Sequence, residues 1–62
     1  MNTLRVLVAD DHDAVRLGLV STIMSHPGWA VCGEAQNGRV AVEKADALKP
    51  DVAILDIGMP AR

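Results

Sequence analysis

The sequence predicts one small α/β domain built on a parallel sheet. Three short apolar runs, Leu4–Ala9, Trp29–Ala35 and Val52–Leu55, alternate with two segments in which apolar residues recur at helical spacing. The first run is continuous, which is typical of a strand buried on both faces of a parallel sheet. Strands that alternate with helices imply right-handed crossovers. We therefore expect three parallel strands (β1, β2 and β3) with the first in the centre, in the sheet order 2-1-3.

The first helix, α1, is predicted from about Ala14 to Ser25. Asp13 is the predicted N-cap, and Pro27-Gly28 ends the helix. One face carries apolar residues at i, i+4 and i+8, as a helix packed on a sheet requires, and a flanking strip widens it. The first set is Val15, Leu19 and Ile23, and the flanking set is Leu17, Val20 and Met24.

The second helix, α2, is predicted over Gly38–Leu48. Asn37-Gly38 resembles a hairpin turn, but the residues that follow repeat at helical spacing, with charged residues on the opposite side. Asn37 is therefore better explained as a helix N-cap, and Pro50 closes the helix. The third strand follows, and residues 57–62 leave it as a loop.

Composition limits the classes of function. The chain has 62 residues, which allows one small domain, and it is half apolar and 23% charged, which is typical of a soluble globular sequence. The net charge is -2 and the six Lys and Arg residues are scattered, so we expect no nucleic-acid contact from these residues. Cys32 is the single cysteine, and the sequence shows neither a signal peptide nor a membrane span. We expect a cytoplasmic protein.

Three acidic residues follow the predicted strands. Asp10 and Asp11 come directly after the first apolar run, and Asp56 comes directly after the third. Because parallel strands end at one edge of the sheet, where α/β folds bind ligands, these carboxylates are predicted to converge. The sequence thus indicates a site for a divalent cation and a phosphoryl group. His12 follows the pair, but Mg²⁺ prefers oxygen ligands, so His12 is better explained as a residue at the start of the helix.

Several segments resemble a known family at matching spacings. Four segments are similar to the first half of the receiver (phosphoacceptor) domain of bacterial two-component response regulators. They are VLVADDH, LGL, GEAQNGRVAVEKA and PDVAILDIGMP. The sequences of these segments most resemble those of the subgroup with a LuxR-type DNA-binding output domain. The resemblance covers essentially all of residues 1–62. It implies a partial receiver domain with a flavodoxin-like fold, truncated to β1-α1-β2-α2-β3, with the fourth and fifth strands and any output domain outside this sequence.

The resemblance also implies roles for individual residues. Asp56 would be the phosphoacceptor, whose carboxylate attacks the phosphohistidine of a sensor histidine kinase. Asp11 would ligate Mg²⁺ directly, Asp10 would act through a water, and Asp56 and the backbone carbonyl of Gly58 would complete the metal ligands. A receiver accepts the phosphoryl group on its own aspartate, so it is not a turnover enzyme. The parent protein would regulate transcription, and DNA would be bound only through the output domain.

Two departures from the family pattern affect this interpretation. Asp13 stands where the subgroup often has proline, a small change because either residue can start a helix. The family's switch hydroxyl and its lysine lie beyond Arg62, so we expect the chain as given to switch poorly. A sheet that stops at the third strand leaves the apolar edge VAIL unpaired. We expect a homodimer that covers this edge, formed edge to edge or by exchange of elements.

Other functions are weighed against the phosphoacceptor. A non-switching fragment would act only as an interaction or dimerisation module. An aspartate-nucleophile phosphatase would want a second aspartate two residues after Asp56, where Gly58 stands. A Rossmann dinucleotide site is disfavoured because no G-x-G-x-x-G motif follows the first strand.

Overall fold

The structure is a computed structural model that describes residues 3–56, so the predicted loop at 57–62 lies outside the described residues. Five elements follow one another along the chain. They are β1 (Leu4–Asp10), α1 (Asp13–Met24), β2 (Trp29–Ala35), α2 (Gly38–Leu48) and β3 (Val52–Asp56). Between residues 3 and 56, no helix is long and apolar enough to cross a membrane.

The three strands form one parallel sheet in the order β2-β1-β3, which confirms the predicted order 2-1-3. β1 is central and pairs with both neighbours. Its pairing with β3 runs without interruption from Val6 opposite Val52 to Asp10 opposite Asp56. Its pairing with β2 shifts register between Val6 and Leu7. The carboxyl ends of β1 and β3 therefore lie side by side, level with each other.

The core is built on the two faces of β1, which explains why its apolar run is continuous. Successive side chains of a strand point to opposite faces of the sheet. On one face, Val6 and Val8 pack with Ile23 of α1, and on the other Ala9 packs with Ala41 of α2. The whole segment from Val6 to Asp10 is buried. Both faces of the central strand are thus covered, one by each helix.

The N-cap residue of α2 is the predicted one, whereas that of α1 lies one residue earlier than predicted. Asn37 caps α2 as predicted, since its side-chain oxygen accepts the backbone N–H of Val40 at 2.9 Å. For α1, the predicted N-cap was wrong. His12 occupies the N-cap position, and Asp13 lies in the first turn, where its carboxylate pairs with Arg16 instead of capping.

The apolar stripe of α1 is narrower than predicted. Ile23 is buried, and Leu19 and Val20 pack against the same cluster. Leu17 is 70% exposed and Met24 is also exposed, so the predicted widening on that side was wrong. The reason is geometric, because α1 lies on β1 and β2 and only the residues that face these strands are covered. Val15, at the start of the predicted face, is exposed as well.

Candidate functional site

The carboxyl ends of β1 and β3 bring two of the predicted acidic residues together. Asp10 is paired with Asp56 in the parallel register, so the two residues are direct neighbours across the strands. Both strands run one residue further than predicted and include these aspartates as their last residues. The predicted convergence of the strand ends is thereby confirmed at the level of the backbone.

Asp10 is a buried carboxylate with one oxygen unsatisfied. The residue is 0% exposed. Its Oδ1 accepts the backbone N–H of His12 at 2.7 Å, which fixes the turn between β1 and α1. Its Oδ2 has no hydrogen-bond partner among the residues the structure describes. A buried carboxylate oxygen without a partner is costly, so this atom is an acceptor that a cation or its bound water would satisfy.

Asp11 and His12 extend the acidic site towards solvent. The Asp11 side chain is 40% exposed and that of His12 is 73% exposed. The Nδ1 atom of His12 lies 2.9 Å from Oδ1 of Asp11 and 3.5 Å from Oδ1 of Asp10. One potential ligand atom from each of the three residues lies within 4.8 Å of the others. His12 stands at the start of α1, as the sequence predicted, but its side chain makes no cap and faces the carboxylates.

The remaining members of the predicted ligand set are placed differently. Asp56 is exposed at the end of β3, next to Asp10 in the register. Its carboxylate does not belong to the compact group that the structure forms from Asp10, Asp11 and His12 within the described range 3–56. Gly58 lies outside the described residues. The roles assigned to these residues stay predictions.

Arg16 supports the site, and the sequence reasoning did not identify it. Its Nη1 donates to the carbonyl oxygen of Asp10 at 2.7 Å, and its Nη2 lies 2.6 Å from Oδ1 of Asp13. Its Nε donates to Oε1 of Glu34 on β2 at 3.3 Å. One guanidinium thus joins the ends of β1 and β2 to the first turn of α1. The spacing of Asp13 and Arg16, three residues apart at a helix start, was the available sequence signal.

The contacts of Arg16 raise its pKa above the usual value for arginine. The hydrogen bond to Asp13 is the largest influence that raises the pKa of Arg16, desolvation opposes it, and the charges of Asp13 and Glu34 add to the increase. A raised pKa on a cation means that its stabilising contacts persist below that pKa and are lost only above it. An arginine is protonated at neutral pH even without this shift, so Arg16 is a positive charge beside the carbonyl of Asp10.

The donor set at this edge fits a hard divalent cation. Carboxylate oxygens are the ligands that Mg²⁺ takes in phosphoryl-transfer sites, usually one or two of them with the rest of the shell made of water. Asp11 is accessible for direct contact, and Asp10 offers the buried unsatisfied Oδ2. The neighbouring Asp56 places a third carboxylate at the end of the adjacent strand, open to an incoming molecule.

The parallel sheet has an acidic cluster at the end of its central strand and an exposed aspartate at the end of the neighbouring strand. These features define an α/β domain that binds its ligand at the carboxyl edge of the sheet. The comparison with known families agrees, since the model of the response regulator receiver domain matches residues 6–62. The chain belongs to this family, which operates in two-component phosphorelay signalling.

Individual relatives show the same fold and a range of parent proteins. The transcriptional regulatory protein YdfI of Bacillus subtilis is 46% identical over 56 residues, which is 90% of this chain and 26% of that protein. The response regulator domain of Thermotoga maritima CheB superposes with a TM-score of 0.90 at 49% identity, covering 95% of this chain and 44% of that one. The signal receiver domain of NarL, a proposed response regulator of Mycobacterium tuberculosis, also gives 0.90, at 41% identity over 98% of this chain and 49% of that one. The chain thus spans less than half the length of each of these relatives.

Proposed function

We propose that this chain accepts a phosphoryl group on Asp56 from the phosphohistidine of a sensor histidine kinase, in a reaction that requires Mg²⁺. The observation that carries the proposal is the register of β1 and β3. In that register Asp56, which is exposed, is the neighbour of the buried Asp10 across the two strands, and Asp11 follows Asp10 in the chain. Membership in the receiver family supplies the reaction class.

The transfer itself needs an accessible nucleophile. A carboxylate oxygen of Asp56 attacks phosphorus, the bond from phosphorus to the donor nitrogen breaks, and an aspartyl phosphate forms. Exposure of Asp56 at the strand end allows the donor to approach. The chain modifies its own side chain in this step, so we infer a phosphoprotein and not a turnover enzyme.

The acidic residues at the end of β1 would hold the cation. Asp11 would bind Mg²⁺ directly, and Asp10 would act through a metal-bound water that donates a hydrogen bond to its unpartnered Oδ2. Asp56 and the carbonyl of Gly58 would complete the set. When bound, Mg²⁺ supplies the positive charge that offsets repulsion between an anionic nucleophile and an anionic phosphoryl group. Arg16 holds the carbonyl of Asp10 and so keeps the end of β1 in position against α1 and β2.

The parent protein is proposed to be a cytoplasmic transcription regulator of the LuxR-type output subgroup. The transcriptional regulatory protein YdfI and the NarL receiver domain support this proposal, whereas the similarity to the CheB domain shows that receivers of this sequence type also occur with another output. DNA would be bound by an output domain outside these 62 residues, because the chain itself carries a net charge of -2.

The direct test is labelling by a small phosphodonor. Incubation with acetyl phosphate and Mg²⁺ should add the mass of one phosphoryl group to the intact chain, and Asp56→Asn should abolish the gain. Asp51→Asn is the matched control, since Asp51 immediately precedes the same strand at its other end and accepts the backbone N–H of Arg5 at 2.8 Å. Equal labelling of the Asp56 variant and the wild-type chain would contradict the proposal.

A second function, as an interaction or dimerisation module, is favoured by β3. Within residues 3–56 this strand pairs with β1 alone, and its Val52 and Leu55 side chains are exposed. An unpaired apolar strand edge is a template for another chain. We propose that a second copy covers it, edge to edge or by exchange of elements. Sedimentation in dilute solution should show a dimer, and a folded monomer at every concentration would contradict this second proposal.

A further inference from the structure

The sheet has two outer strands, and their free edges are protected differently. In the part of the chain that the structure describes, β2 and β3 each pair with β1 alone. The free edge of an outer strand carries N–H and C=O groups that can pair with another chain. Folded proteins protect such edges with charged side chains, especially lysine, and with β-bulges. Both kinds of protection occur on β2.

The backbone carbonyl of Glu34 points to the free edge of β2. The N–H of Leu4 donates to the carbonyl oxygen of Gly28 at 2.7 Å, so Leu4 directs its backbone groups towards β2. Alternate residues of a strand direct their backbone groups to the same side, so Val8 also faces β2. Val8 lies opposite Glu34 in the parallel register and therefore bonds to the residues on either side of it. The backbone groups of Glu34 itself point away from β1.

A lysine of α2 occupies this outer carbonyl. Lys44 donates from its Nζ atom to the carbonyl oxygen of Glu34 at 2.5 Å. Arg16 of α1, on the other face of the sheet, donates from its Nε atom to Oε1 of the Glu34 side chain at 3.3 Å. An incoming strand would have to displace the lysine to reach the carbonyl, and it would have to remove water from charged side chains. This end of the β2 edge is thus closed.

A β-bulge disturbs the same edge next to Glu34. The register with β1 passes from Val6 opposite Val31 to Leu7 opposite Gly33, so Cys32 is an extra residue on β2. A bulge bends its strand and breaks the regular spacing of backbone groups that a straight incoming strand needs. The bulge and the lysine together protect residues 32–34.

The free edge of β3 has neither kind of protection among residues 3–56. Its pairing with β1 is regular from Val52 to Asp56. The side-chain donors that bond to backbone carbonyls in this range reach other elements, and the Val52 and Leu55 side chains are exposed. A second copy of the chain can therefore pair with β3 without displacing a side chain from its backbone.

We propose that Lys44 closes the free edge of β2 to a second copy of this chain, so that copies join only through β3. Dimerisation through β3, as proposed above, is the basis of this inference, which specifies pairing edge to edge. Pairing of β3 with β3 of another copy uses one surface twice and stops at a dimer with a twofold axis. Pairing of β3 with β2 of another copy would use two different edges and would extend into a fibre. Lys44 blocks the second arrangement.

The experiment compares variants of the full chain by sedimentation velocity over a range of concentrations. The wild type should reach no mass above that of a dimer, whereas the mean mass of Lys44→Met and Lys44→Gln should pass that limit and keep rising with concentration. Lys44→Arg keeps a donor and should stay at the wild-type size. Lys49→Met is the matched control, because it changes the charge equally and the Lys49 side chain is 78% exposed at the end of α2. Circular dichroism verifies that each variant is folded.

Hydrogen exchange locates the new contact, since the β2 amides should exchange more slowly in the assemblies of Lys44→Met and Lys44→Gln than in the wild type. Equal sizes of the wild type and both folded variants, growth of Lys44→Met alone, or equal growth of Lys49→Met would overturn the inference. A wild type larger than a dimer would overturn it as well. A monomeric wild type would contradict only the dimer through β3, and larger Lys44 variants with slowed β2 amides would then still support the closed edge.

Discussion

Replacing Asp10 by asparagine should raise the stability of the fold and weaken the binding of a cation. Asp10 is 0% exposed, and its Oδ2 has no partner among residues 3–56. An unsatisfied buried polar group costs about 1–3 kcal/mol, and more when it is charged. Asparagine can keep the acceptor for the backbone N–H of His12 while removing the charge. Without a divalent ion, we therefore expect Asp10→Asn to raise the free energy of unfolding by about 1 kcal/mol, roughly 4–8 °C in Tm.

With Mg²⁺ added, the wild-type chain should instead be more stable than Asp10→Asn. At a concentration of 100 times Kd, a ligand that binds only the folded state stabilises it by about 2.7 kcal/mol. The wild-type chain should gain this amount, and Asp10→Asn should gain much less because a carboxylate of the site is lost. Urea unfolding with and without Mg²⁺ measures both effects. Asp51→Asn is the control, and its gain should equal that of the wild type. If Asp10→Asn is less stable than the wild type without Mg²⁺ and gains as much stability from it, Asp10 is neither an uncompensated buried charge nor part of a cation site.

Three further predictions concern packing and capping, each measured by urea unfolding. Leu7→Ala removes a side chain that is 0% exposed and should cost about 2–5 kcal/mol, whereas Leu17→Ala on the exposed face of α1 should stay within about 0.5 kcal/mol. Gly33→Ala should cost at most about 1 kcal/mol, because its Cβ would lie 2.7 Å from a methyl group of Leu48, the flexible end of a side chain that can move aside. Gly18→Ala, with nothing within 4 Å, should instead stabilise by about 0.5–1 kcal/mol. Asn37→Ala should cost about 1 kcal/mol through loss of the α2 cap. Equal stabilities of Leu7→Ala and Leu17→Ala, or of Gly33→Ala and Gly18→Ala, would contradict the packing described for these positions. An unchanged stability of Asn37→Ala would contradict the described cap of α2.

The sheet could be predicted because its strands carry strong local signals. Apolar runs that alternate with helices, at Leu4–Ala9 and Val52–Leu55, specify parallel strands, of which the first is buried and the third is largely exposed. Asn37 directly precedes residues at helical spacing, and its side chain accepts the N–H of Val40, so this cap was also predictable. These features depend on residues close together in the sequence.

The details of the site depend on contacts that no local pattern encodes. Asp13 was predicted to cap α1, but Arg16 takes its carboxylate, and the same guanidinium reaches Glu34, 18 residues further along the chain. Nothing in the sequence around Arg16 specifies that β2 ends within its reach. His12 was correctly placed at the helix start, but its rotamer towards Asp11 could be seen only in three dimensions.

The central claim is that Asp56 itself carries the phosphoryl group. The most direct measurement is to treat the wild-type chain with acetyl phosphate and Mg²⁺, reduce the acyl phosphate with borohydride, and locate the reduced residue by fragment mass spectrometry. We expect one modified position, Asp56 at the end of β3. Modification at Asp10 or Asp11, or an alkali-stable phosphoryl group on a histidine, would contradict it.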